Sequence, residues 1–273
     1  MRILAVCLAL LTGGAGIVLA AGQQTASELA QITARGRALY QYDVAATLAM
    51  DAVRARYGTA MPQAPAGSRV LSICRPEFSG WSVDVGALSG DTASFVVFYR
   101  AVQAGPGARA FDVTKVDAPA TGAFDVQAAR AITRAIGDFQ AVRSSPYKYA
   151  ALQRADGQWY VYIYPGPTAA HAYPLGGDAR YLVSADGRQI VARHRMHNGI
   201  IDEESASLPN GAHMAAGFHT VVVDDVPQDT DVFHVLLREP RVPDYVSAQG
   251  HMYKIDTNGS IEDLGTPTPT PRP

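Results

Sequence analysis

The sequence predicts an α+β protein, with a long N-terminal helix and antiparallel hairpins followed by a C-terminal domain built on a mixed sheet. Three observations predict it. Leu29, Ile32, Leu39, Tyr40, Val44, Leu48, Val53 and Tyr57 recur at helical spacing. Asp156-Gly157, Asp186-Gly187 and Asn258-Gly259 each lie between short apolar runs, a strong local signal for a tight hairpin. The run from Gly211 to Leu237 reads as a buried strand, an acidic loop and a capped helix start. Such a segment can gather ligands, because the helix end offers free N–H groups and the strand end offers side chains.

Taken in order, Arg2, the apolar stretch Ile3 to Ala20 and the small residues up to Ala21 form a signal peptide pattern. An uncleaved anchor is the alternative reading. With residues 1–21 removed, the chain keeps one cysteine, Cys74, which cannot form an internal disulfide. An export signal without a disulfide predicts a bacterial periplasmic or secreted location, with no stable membrane anchor after cleavage. Thr25-Ala26-Ser27-Glu28 has capping-box spacing, which predicts a helix from about 26 to 57, single or divided near Gly36. A linker (Met61 to Gly67) leads into β structure between Val70 and Val113. There Trp81 to Val85 alternates, Ser89-Gly90-Asp91 turns, Ser94 to Val102 is strongly apolar, and Ala108 to Val113 can form a further strand. Asp125 then offers a cap to a helix with Ala128, Ile132, Ile136 and Phe139 on one face.

The second half, residues 145–264, opens on the hairpin Tyr149 to Gln153 with Trp159 to Tyr164. Tyr160, Tyr162 and Tyr164 share one face of it, and Trp159, Val161 and Ile163 the other, so both faces are expected to be covered. Ala179 to Ser184 should pair with Gln189 to Met196. The strand Ala215 to Val223, the loop Asp224 to Gln228 and the helix start Asp229-Thr230-Asp231 follow. After a proline-punctuated loop (Pro240, Pro243), Met252 to Ile255 pairs with Ile261. The domain division is therefore 22–144 and 145–264, with a low-complexity Pro/Thr tail over 265–273.

Composition narrows the partners. Net charge is −2 and charged residues make up 18% of the chain, so the basic excess that nucleic acid or an anionic membrane demands is missing. No phosphate-binding glycine motif and no Gly-x-Ser-x-Gly elbow is present, and Cys74-Arg75-Pro76 reads as the end of a strand. All seven histidines fall between His171 and His251, which makes the second half the place to look for a metal. His194 and His197 are three apart at the end of an expected strand, where such residues point to opposite faces, which argues against joint ligation. His213, His234 and His251 stand alone. His219 lies on the expected core strand, and Asp231, at the helix start, can turn back toward it. These are two ligands where hydrolytic zinc asks for three and an open position.

Residues 180–237 resemble a JAMM (JAB-type) zinc metallopeptidase domain. In that family a strand carries His-x-His, a loop follows, and Ser-x-x-Asp opens a helix; a glutamate from earlier in the chain acts as general base. Gly217-Phe218-His219-Thr220-Val221 and Pro227-Gln228-Asp229-Thr230-Asp231 match these segments. The resemblance implies that His219 and Asp231 are metal ligands. It puts Val221 at the second histidine and Gln228 at the serine. For the glutamate only Asp178, Glu203 and Glu204 lie nearby. Two readings stand. One is a catalytically silent JAMM-like domain acting as a binding module for an unidentified protein or peptide. The other is an exported zinc-dependent hydrolase, peptidase-like, whose remaining ligands come from distant parts of the chain.

Overall fold

The computed structural model describes residues 14–58, 62, 64–120, 122–144, 146–204 and 214–267, with side chains from Thr25 onward, that of Glu204 excepted. It is an α+β fold. Helix α1 (Gly14–Tyr57) is a single continuous element, so the capping-box residues Thr25 to Glu28 lie inside it rather than at its start. Gly36 does not divide it. Gly58, in the left-handed region at φ 81°, ends the helix where a C′ glycine belongs. Residues 1–13 of the expected signal segment and 268–273 of the tail lie outside the described residues. Among the described residues no helix is long and apolar enough to cross a membrane.

Four strands follow as an antiparallel meander: β1 (Leu71–Glu77), β2 (Gly80–Leu88), β3 (Phe95–Gln103) and β4 (Phe111–Pro119). The next element, α2 (Ala123–Asp138), is capped by Gly122 and not by Asp125. Asp125 sits in the first turn and is buried there, accepting two hydrogen bonds from Arg75 at 2.6 and 2.7 Å. That ion pair takes the carboxylate the sequence had suggested for the cap.

The expected hairpins form a second antiparallel sheet. Strands β5 (Tyr147–Gln153) and β6 (Trp159–Pro165) pair around Gly157; β7 (Ala172–Gly176) leaves, and β8 (Ala179–Val183) returns beside β6 before β9 (Ile190–Arg195) completes the order β5-β6-β8-β9. Both faces of β6 are covered: Val161 and Ile163 pack against α2, while Tyr162 and Tyr164 face α1 and the first sheet. Cys74 is buried in that same cluster, where burial pushes its thiol far above the usual range. A buried, protonated thiol is a packing residue and not a nucleophile.

Strand β7 pairs instead with β10 (Ile200–Glu204) in a two-stranded sheet. The last sheet is mixed. Strand β11 (Gly217–Val221), helix α3 (Asp229–Leu237) and strand β12 (Asp244–Ala248) form a β-α-β unit with parallel strands, extended antiparallel by β13 (His251–Ile255) and β14 (Ile261–Gly265). β12 begins directly after Pro243, in a stretch whose prolines had suggested loop alone. The N-terminus of α3 follows the carboxyl end of β11, the position where α/β units hold ligands.

Two devices fix α3. Gly36 of α1 meets it so closely that a Cβ there would lie 2.5 Å from Val232 Cβ and 2.6 Å from the Asp229 carbonyl oxygen. Glycine is therefore a packing requirement at this crossing and not a break. Asp229, almost wholly buried, accepts from Arg35 Nε at 3.0 Å, from the Tyr162 hydroxyl at 2.8 Å, and from Arg180. The carboxylate thus ties α1, β6 and β8 to the first turn of α3.

Candidate metal centre

Three buried side chains from three different elements meet at the start of α3. His219 stands on β11, among residues whose burial alternates so that Phe218 and Thr220 face out while His219 faces in. Asp231 is the third residue of α3. Its Oδ2 accepts the backbone N–H of Gln228 at 2.7 Å, completing a capping box in which Gln228, rather than Asp229 or Thr230, is the N-cap. That bond aims Oδ1 the other way, toward the two histidines. The third group is His197, in the turn just past β9.

His197 Nε2 lies 3.0 Å and His219 Nε2 3.2 Å from Asp231 Oδ1. One donor atom from each of the three side chains falls within 4.8 Å of the others. Despite these distances, none of the three atoms has a partner in hydrogen-bond geometry among the described residues. Buried unpartnered polar atoms are costly, and here three point at one place. Donors held around a tetrahedral zinc ion by bonds of about 2.0–2.1 Å stand roughly 3.3 Å apart, close to the 3.0 and 3.2 Å that separate the two imidazole nitrogens from Asp231 Oδ1. Nitrogen, nitrogen and carboxylate oxygen are donors suited to zinc.

The surroundings orient the set. Asp178, 2% exposed, lies 2.9 Å from His197 Nδ1. With Nδ1–H donating to that carboxylate, the lone pair of Nε2 is left free to face the ion, the usual outer support of a ligating histidine. The backbone makes this possible: the Met196 N–H donates to the Asp178 carbonyl at 3.2 Å, and Gly176, at φ 90°, lacks the Cβ that would collide with the Gly199 carbonyl. Met196 is fully buried, its sulfur 3.8 Å from the Thr230 hydroxyl, which seats the turn beneath α3.

Charge complements geometry. Burial disfavours a charged imidazole at His197, yet the Asp178 and Asp231 carboxylates outweigh it and raise its pKa well above the ordinary value. At His219 burial is likewise outweighed, chiefly by Asp231, and the shift is again upward. Burial acts against the charge of Asp231 too, but the two imidazoles hold its carboxyl far below the usual range. The site thus favours positive charge beside one buried carboxylate. A divalent cation supplies that charge, and its binding would compete with protons on the histidines.

The sequence-derived candidates divide clearly. His219 and Asp231 come together as expected. Val221, on the same strand face, is 1% exposed and packs in an apolar cluster with Val226, Val232 and Val246, so no ligand comes from that position. His194 and His197 are not joint ligands. His194 Nε2 lies 2.9 Å from Gln228 Oε1 and 3.0 Å from Asp224 Oδ2, while His197 alone enters the centre. The sequence reading missed His197 because it treated the two histidines as a pair on a strand. The usable signal was that Met196 and His197 run into Asn198-Gly199, a turn that frees the second histidine from strand alternation. Of the acidic residues near the expected glutamate, Asp178 stands behind His197, and Glu203 is engaged with His234 at 3.0 Å and Arg238 at 2.6 Å.

A cavity of about 160 Å³ opens beside the two imidazoles, lined also by Leu175, Asn198, Ile200, Thr220 and Val222. No known protein family, curated protein or solved structure matches this chain.

Proposed function

We propose that this chain is a metal-dependent hydrolase with one zinc ion held by His197, His219 and Asp231. The observation that carries the reading is the convergence of three buried donor atoms that have no hydrogen-bond partner among the described residues, with His197 and His219 lining a cavity. A structural zinc site is closed by four protein ligands; a catalytic one has three and keeps a position open. Zinc held by these three residues would polarise a carbonyl and lower the pKa of a bound water to about 7. Asp178 orients His197, and the Gln228 N–H orients Asp231.

The JAMM-type resemblance supports the same two ligands, His219 and Asp231, and His197 makes up the number that Val221 leaves short. The general-base glutamate of that family has no counterpart among the described side chains of the cavity wall. Export remains part of the proposal, supported by Arg2 and the apolar run behind it.

Metal analysis of the purified protein tests this directly. One zinc per chain is expected, falling to a small fraction in His197→Ala, His219→Ala and Asp231→Ala. Hydrolysis of amide or ester substrates should cease with chelator and return with added zinc. Protein that holds no divalent metal under zinc-replete conditions would return the domain to a binding module, with a protein or peptide partner.

A further inference from the structure

The cavity beside the centre carries information about the substrate. Among the described residues, no ionisable side chain apart from His197 and His219 lines it. Its walls are Leu175, Ile200, Ile201 and Val222, with Asn198 and Thr220 as the other polar residues that touch it. Two of these apolar residues reach the surface: Ile201 and Val222 are 46% and 71% exposed. Side chains of this kind on a surface cost solubility and mark contact with an apolar group.

Enzymes that act on phosphoryl groups or other anions place Arg or Lys where the charge sits. Among the described residues no arginine lines the cavity, and Arg180 and Arg35 are committed to Asp229, Arg238 to Glu203 and Asp244, and Arg193 to Asp138. An anionic substrate would bring its charge into this cavity with only the ion to meet it. A neutral aliphatic group fits the walls without desolvating a charge. The volume is about that of five water molecules at roughly 30 Å³ each, room for a short branched chain.

We infer that the substrate is a neutral carbonyl compound, an ester or amide, whose small aliphatic acyl group fills this cavity. The inference rests on the hydrolase reading above and adds its substrate class. In the reaction, water supplies the oxygen of the new bond to the acyl carbon. The bond from that carbon to the ester oxygen or amide nitrogen breaks, its electron pair leaves with the heteroatom, and a proton from the water ends on it. The products are an aliphatic carboxylic acid and an alcohol or amine. Leu175, Ile200 and Val222 select the acyl chain by packing against it.

Two measurements on the zinc-loaded full chain test this. In the first, nitrophenyl acetate, butyrate, 3-methylbutyrate, succinate monoester and phosphate are compared by kcat/KM. A rise of about fourfold per methylene buried is expected from acetate to 3-methylbutyrate, with the two anionic compounds at least tenfold below it. In the second, binding of acetamide, 3-methylbutyramide and inorganic phosphate is measured by calorimetry, which needs no turnover. The branched amide should bind tightest. Ile201→Asp, at an exposed position, should weaken 3-methylbutyramide binding about tenfold while zinc content stays at one per chain. Preference for phosphate or succinate, or indifference to chain length, in a zinc-loaded protein would overturn the substrate class and leave the hydrolase reading standing. Absence of zinc, or of any zinc-dependent turnover, would overturn the hydrolase reading and this inference with it.

Discussion

The Nδ1 nitrogen of His197 lies 2.9 Å from a carboxylate oxygen of Asp178, a residue nineteen positions earlier in the chain and as buried as the ligands themselves. This contact decides which ring nitrogen of His197 faces the centre. Asp178→Asn keeps the shape and removes the charge, and should weaken zinc binding about 10–100-fold, the usual cost of losing such a partner. Competition with a chelating dye measures it. An affinity within twofold of wild type would show that the carboxylate does not orient the ring.

The two neighbouring histidines should behave oppositely. His197→Ala is expected to abolish stoichiometric zinc and the thermal stabilisation that zinc confers, about 2.7 kcal/mol at a hundredfold excess over Kd. His194→Ala should leave zinc at one per chain, since its ring contacts Gln228 and Asp224 outside the centre. Val221→His, which would restore the His-x-His pattern, places an imidazole in the apolar cluster around Val232. It should destabilise by about 1–3 kcal/mol without adding zinc. A second zinc, or a tighter one, in Val221→His would restore the role that the pattern assigns to this position.

Gly36→Ala separates packing from propensity. On propensity alone the change inside a helix stabilises by about 0.8–1.0 kcal/mol. Here the new methyl group would meet Val232 and the Asp229 carbonyl. Overpacking at such a contact costs about 1–3 kcal/mol, so the sign should reverse. Because α3 carries Asp231, zinc affinity should fall as well. A urea titration and a metal titration on the same variant check both, and a more stable protein would rule out the tight crossing.

Glu203 makes stability depend on acid pH. Burial pushes its carboxyl up, but hydrogen bonds and charge from His234 and Arg238 outweigh this and hold it at about 2, against an ordinary 4.5. A carboxyl depressed by folding contributes its full stability above the ordinary value, and that contribution is lost as pH falls toward 2. Glu203→Gln should therefore flatten the fall in urea midpoint between pH 5 and 3. It should also cost about 1.5–3 kcal/mol at pH 7, the worth of hydrogen bonds to charged groups. An unchanged acid slope would mean that the pair is not coupled to folding.

What the sequence determined by itself is local. The period of α1 from Leu29 to Tyr57, the three hairpins around Gly157, Gly187 and Gly259, and the strand, loop and helix from Gly217 to Leu237 were legible because each depends on residues within a few positions of one another. His219 and Asp231 were legible as a pair for the same reason. Their distance is set by one strand end, one loop and one helix start. The tertiary structure alone decided the rest. His197 and Asp178 reach the centre through the β8 and β9 connections, and nothing in their own neighbourhoods marks them as partners of a residue on α3. Gly36 read as a possible break and is an interhelical contact, because its meaning lies in Val232, nearly two hundred residues away. Likewise Asp125 read as a cap and is the partner of Arg75. Spacing along a chain constrains side chains only within the same element or turn, whereas a buried site is assembled from groups whose directions are set by how separate elements pack.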